Sequence, residues 1–247
     1  MVSEAGDKLM IKHKLQQQII PADESGFTII ESLVAIVIVA ILMAAIAPAI
    51  VISTATRVQS RRVELSTQAT KAFIDAIRTG AIAAPSTIIA RDPANATTTR
   101  NVSNSTQAAA YLISSTEMPV PQASDTNLYC FKVTDGTITT TSTTGCRDKP
   151  FEQFYIQAAQ VKVTGSSVND GYRLAIRVYR TDIDFSKTIT ANTGNSNSDK
   201  KTQKTFTGGL GDRQAPLIEM TTDIGNSYTT FQALCRRLGT ATNQACQ

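Results

Sequence analysis

Few side chains in this chain of 247 residues could do chemistry, and their spacing narrows what chemistry that is. The single histidine is His13. Beyond it no imidazole is available, which excludes Ser-His-Asp and Cys-His nucleophile schemes and the usual histidine zinc sites. The glycine cluster Gly208-Gly209-Leu210-Gly211 lacks the Lys-Ser/Thr that follows in a phosphate-binding loop. Asp182 and Asp184 supply too few oxygens for a calcium site. The expectation is a protein that is not an enzyme, with no catalytic residues, no metal and no cofactor. Two chemistries remain. One is disulfide formation by Cys130, Cys146, Cys235 and Cys246, none of which forms a CxxC. Of the three possible connectivities, closeness in sequence favours Cys130–Cys146 and Cys235–Cys246. Loops this short contribute roughly 3 kcal/mol each in the chain-entropy picture and require an oxidising compartment. The other is a lone carboxylate, Glu31, set in a run of apolar residues.

That run covers residues 27–52, and Glu31 is its only charged residue. About 20 apolar residues suffice to span a bilayer. An acid at the centre of such a helix costs on the order of 2.5–3.5 kcal/mol, so Glu31 calls for a partner. The run is too long for the apolar core of a removable signal peptide. Its best small-residue cleavage site, Ala45-Ile46-Ala47, is followed directly by Pro48. The pattern fits a membrane helix that is retained.

Gly26-Phe27-Thr28-Ile29-Ile30-Glu31, followed by that run, resembles the type IV prepilin motif. The resemblance implies a leader at residues 1–26, cut by a prepilin peptidase between Gly26 and Phe27. Phe27 then becomes an N-methylated first residue, and Glu31 is the matching glutamate. The new amine of one subunit can meet the Glu31 carboxylate of a neighbour, and the pair acts mainly as a register lock because desolvation opposes its net gain. Implied partners are the peptidase, other pilin or pseudopilin subunits and an inner-membrane assembly platform. Implied location is a single pass through the plasma membrane with the head in the periplasm, then a filament or pilus. Residues 55–85 look like pseudopilins of filamentous cyanobacteria tied to hormogonium polysaccharide secretion, which adds an anionic polysaccharide as a further partner. The leader carries three lysines against four acids, and Arg57, Arg61 and Arg62 follow the run. Charge at the flanks therefore does not set the orientation; the cysteines support it instead. The alternatives are a membrane-anchored extracellular binding domain and a minor pilin for DNA uptake.

The elements that position these residues are a long helix and a sheet. Residues 53–79 contain no Gly or Pro. Val58, Leu65, Ala69, Ala72, Phe73, Ala76 and Ile77 recur as one helical face. Arg57, Arg61, Arg62, Glu64, Lys71, Asp75 and Arg78 occupy the rest, and Gly80 stops the helix. With residues 27–52 this makes a rod of roughly 80 Å, its second part, 53–80, needing a sheet as cover. Pro48 predicts a kink or local melting over residues 44–48, and major pilins carry a proline at the matching place. Residues 81–126 read as loop. Residues 128–133 and 137–139 around Asp135-Gly136 predict a hairpin, with further strands at 154–163, 172–180 and 217–220 and a short helix over 231–238. In the alternating strand 172–180, Tyr172, Leu174, Ile176 and Val178 would face the core. Arg173, Arg177 and Tyr179 would face outward, where an acidic polymer could contact them. The predicted class is α+β and pilin-like: a long N-terminal helix packed on an antiparallel sheet in a head spanning residues 81–247.

Overall fold

The computed structural model describes residues 26, 28–93, 115, 117–141, 146, 151–191, 201–205 and 211–238. It divides into two compact units, Met1–Ala47 and Pro48–Gln247. Helix α1, Ile29–Arg78, contributes to both. Its start is capped by Thr28, whose hydroxyl and carbonyl oxygens both accept from the Glu31 N–H, at 3.3 and 3.0 Å. Its end is closed by Gly80, at φ +73°, with the Gly80 N–H donating to the Ile77 carbonyl at 3.2 Å. The helical assignment runs through Pro48 without a break. The local melting expected over residues 44–48 is therefore corrected. A proline removes one ladder bond, and the alanines around it, at 44, 45, 47 and 49, are the best helix formers.

The second unit is built on a mixed sheet. Its strands are β1 (Ile88–Arg91), β2 (Leu128–Lys132), β3 (Ile138–Thr141), β4 (Gln153–Val163), β5 (Tyr172–Arg180) and β6 (Ile218–Ile224), followed by helix α2 (Phe231–Leu238). The order β3-β2-β4-β5-β6 is antiparallel throughout. β2 and β3 form the hairpin expected around Asp135-Gly136, with Gly136 at φ +67°. β4 is long enough to hold two partners along one edge. β2 pairs with its first half, Gln153 to Gln157, and β1 runs parallel to its last four residues. β1 corrects the reading of residues 81–126 as loop. Four residues carry too short a pattern to be read alone, and this strand exists through its non-local pairing with β4. β6 also reaches further than residue 220, to Ile224.

One face of the sheet packs on the second part of α1. Ala69, Phe73, Ile74 and Ile77 meet Tyr129, Phe131, Phe154, Ile156, Leu174, Ile176 and Val178 in one apolar cluster. Phe73 and Tyr129 cross edge to face, ring centroids 4.8 Å apart. The seam of α1 runs Ala55, Gln59, Arg62, Ser66, Ala69, Phe73, Ile77. Val58, Leu65, Ala72 and Ala76 lie half-buried on its flanks. Arg62 was expected on the solvent side and is buried instead, its guanidinium 4.5 Å from the centre of the Phe151 ring. Gln59 is fully buried and donates from Nε2 to Gln203 Oε1 at 2.7 Å. Gln203 in turn donates to the Ala215 carbonyl at 2.8 Å, which fastens the chain around 203 and 215 to the helix.

The opposite face of the sheet is covered too. Leu128, Cys130, Tyr155 and Tyr179 pack with Cys146, Ile183 and Ile189, and Ala159 and Ala175 pack with Met118 and Ile89. This overturns the outward placement of Arg173, Arg177 and Tyr179. Arg177 and Tyr179 are fully buried. Arg177 donates to the Met118 carbonyl and lies 3.5 Å from Glu219, and Arg173 lies 3.5 Å from Asp223. The alternation of β5 separates two buried faces, one apolar and one carrying charges that are paired inside the fold.

Candidate functional site

The residues of the apolar run from 28 to 52 are exposed. From Ile29, 86% exposed, to Ile52 at 40%, no large apolar side chain in this stretch is buried. Such a surface has no place in water. The helix is long and apolar enough to cross a membrane, with a mean hydropathy of 3.0 in its best window.

At the head of this helix the Glu31 backbone N–H is held by Thr28, and Ser32 Oγ donates to the Ile29 carbonyl at 2.8 Å. The Glu31 side chain is exposed and, among the described residues, meets no cation. It sits in the first turn, where the helix dipole favours a negative charge. Gly26 is exposed, and a Cβ placed there would meet nothing within 4 Å. Phe27 lies outside the described residues. Pro48 lies inside α1, about five turns further on. Sequence reasoning missed the cap, although Thr28-x-x-Glu31 has the spacing of a capping box.

Two of the four cysteines are joined directly. Cys130 and Cys146 form a disulfide with an S–S distance of 2.12 Å and are fully buried. Cys235, in α2, is also disulfide-bonded, while Cys246 lies outside the described residues. No group of three or more His, Cys, Asp or Glu residues suited to a metal occurs among the described residues. Asp182 and Asp184 do not converge. Asp182 accepts from Arg180 Nε at 2.7 Å, whereas Asp184 holds Ser186 and faces Lys187 and Arg213. Gly208, Gly209 and Leu210 lie outside the described residues.

The site is thus a capped, acid-bearing start to an exposed apolar helix, attached to a disulfide-bearing head: the arrangement of a membrane-anchored subunit of α+β, pilin-like layout. Residues 22–47 match the family model of the prokaryotic N-terminal methylation motif, and this match supports the type IV prepilin and pseudopilin family for the chain. No curated protein and no solved structure matches it.

Proposed function

We propose that the chain is a minor pilin or pseudopilin, a structural subunit of a type IV pilus-like or type II secretion-like filament. The observation that carries this reading is the fully exposed apolar helix headed by Glu31, inside the matched methylation motif. A prepilin peptidase cuts between Gly26 and Phe27 and methylates the new amine. A Cβ at residue 26 would meet nothing within 4 Å among the described residues, which supports a glycine requirement set by the enzyme that reads the site. The Glu31 carboxylate, which meets no cation among the described residues, would meet the Phe27 amine of a neighbouring subunit. Parallel helices packed this way bury the apolar stretch that is otherwise bare to solvent.

In this reading residues 1–26 are the leader, 27–52 the membrane and filament-core helix, 53–80 its continuation and 81–247 the head. Pro48 marks where the helix loosens on assembly. The subunit crosses the inner membrane once, with its head in the periplasm, until an assembly platform extracts it into the filament. The buried disulfide supports an oxidising compartment for the head. Service to polysaccharide secretion and motility, with an anionic polysaccharide as partner, rests on the likeness of residues 55–85 to hormogonium pseudopilins. A DNA-uptake role has lost its arginine face, because Arg173 and Arg177 pair with acids. Mass spectrometry of the mature N-terminus tests the proposal: a chain beginning at Phe27 and carrying one added methyl group is expected. An unprocessed or differently cut N-terminus would leave a membrane-anchored binding domain as the better reading.

A further inference from the structure

Just past Ile52 two threonine hydroxyls are satisfied within the helix. Thr54 Oγ1 donates to the Ile50 and Val51 carbonyls and Thr56 Oγ1 to the Ile52 carbonyl, each at 2.9 Å. The first charged groups beyond the apolar stretch are Arg57 and Arg61. They are four residues apart, so they share one face of α1, and both are exposed. Among the described residues neither takes part in an ion pair or a side-chain hydrogen bond. Other arginines are arranged differently: Arg91, Arg173, Arg177, Arg180 and Arg213 in the sheet and its loops, and Arg237 in α2, each meet a carboxylate. The two unmatched guanidinium groups therefore stand where the apolar helix gives way to polar residues.

We propose that Arg57 and Arg61 bind the phosphates of anionic lipids at the membrane surface from which the apolar stretch emerges, and so set how deeply the helix sits before assembly. The proposal rests on that stretch spanning a bilayer. At 1.5 Å per residue, Arg57 lies about 7.5 Å past Ile52 and Arg61 about 13.5 Å past it. The headgroup region is roughly 5–7 Å deep on each side of the hydrocarbon. Helix side chains lean toward the N-terminus, here back toward the bilayer. Both guanidinium groups are thereby brought down to phosphate level, where their planar forks donate to two phosphate oxygens at once. The attraction draws the helix inward, and it acts on whichever leaflet the helix leaves.

The chain has no tryptophan, so Ser53→Trp provides a single fluorophore at the edge of the apolar stretch. The full chain carrying it is reconstituted into phosphatidylglycerol or phosphatidylcholine vesicles containing lipids brominated at graded depths. Quenching is expected to peak at a deeper bromine in phosphatidylglycerol than in phosphatidylcholine. Arg57→Gln with Arg61→Gln should return the phosphatidylglycerol profile to the phosphatidylcholine one, while Arg57→Lys with Arg61→Lys should keep most of the difference. Identical profiles in the two lipids, or a difference that survives the glutamines, overturn the proposal. A difference that vanishes on diluting protein into excess phosphatidylglycerol overturns it as well, in favour of a second copy as the partner of the arginines. Absence of quenching at every depth refutes the membrane span itself, and the lipid contact with it.

Discussion

Two kinds of charged residue occur in this chain, and they bear on its biology in opposite ways. Arg177 and Glu219 are locked inside the fold, 3.5 Å apart, with side chains 0% and 6% exposed. Their pairing offsets a desolvation cost and leaves nothing for a partner. Glu31 has no such arrangement: its backbone is held by Thr28, while its carboxylate is exposed and meets no cation among the described residues. The position of Glu31 was legible in the sequence because one charge stands alone in an apolar run. The fate of Arg177 was not, because alternation along a strand tells which residues share a face and not whether a later segment covers that face. Glu31→Ala is expected to leave cleavage after Gly26 intact, since its carboxylate takes no part in capping Thr28, and to impair incorporation into filaments. Processing is read by mass spectrometry and incorporation by shearing and immunoblotting. Unchanged filament yield in the variant would sink the pairing with the Phe27 amine.

The elements show the same division between local and non-local information. α1 and the β2–β3 hairpin were readable because their signals are short-range: an unbroken helical period, a Gly stop, a tight turn at Asp135-Gly136. β1 was not, since its four residues have no pattern apart from the edge of β4 that they occupy. The polar seam Gln59, Arg62, Ser66 and Thr70 was hidden for a related reason. Apolar counting shifts the buried face toward Val58 and Leu65, whereas Gln203 and Phe151, remote in sequence, make burial of Gln59 and Arg62 tolerable. The Cys130–Cys146 bridge was anticipated by spacing alone. It fastens the middle of β2 to a segment 16 residues later, within the cluster that covers the sheet face away from α1. Cys130→Ala with Cys146→Ala should cost the head about 3 kcal/mol, measured by urea denaturation of the detergent-solubilised chain. A loss under about 1 kcal/mol would mean that the unfolded chain is little constrained by the bridge.

For the whole molecule, pH should separate the stability of the head from the helix that anchors it. Asp135 and Asp184 are held below the usual carboxylate range, first by hydrogen bonds from the side-chain hydroxyls of Thr137 and Ser186 and then by the backbone N–H groups of the same residues. A carboxylate whose folded pKa is depressed adds stability above its unfolded value, and that stability is lost as pH falls through the folded one. Asp135 is exposed and Asp184 half-buried, so the acid limb should be shallow, beginning below about pH 4. At the alkaline end the sign reverses. Tyr179 is fully buried, and burial pushes its phenol well above the ordinary value; Tyr129 and Tyr172 are raised as well, also chiefly by burial. A group whose folded pKa is raised contributes below its unfolded value, about 10 for tyrosine, and its contribution is lost as pH climbs toward the folded one. The raised phenols of Tyr129, Tyr172 and Tyr179 should therefore ionise only together with loss of near-ultraviolet ellipticity, as read by tyrosinate absorbance. The apolar stretch of α1 holds Glu31 as its sole charged side chain, and far-ultraviolet helicity should outlast the tertiary signal at both extremes. A single smooth titration of all the tyrosines, with ellipticity unchanged, would show that the sheet face carrying Tyr179 is open to solvent rather than sealed by residues 183–191.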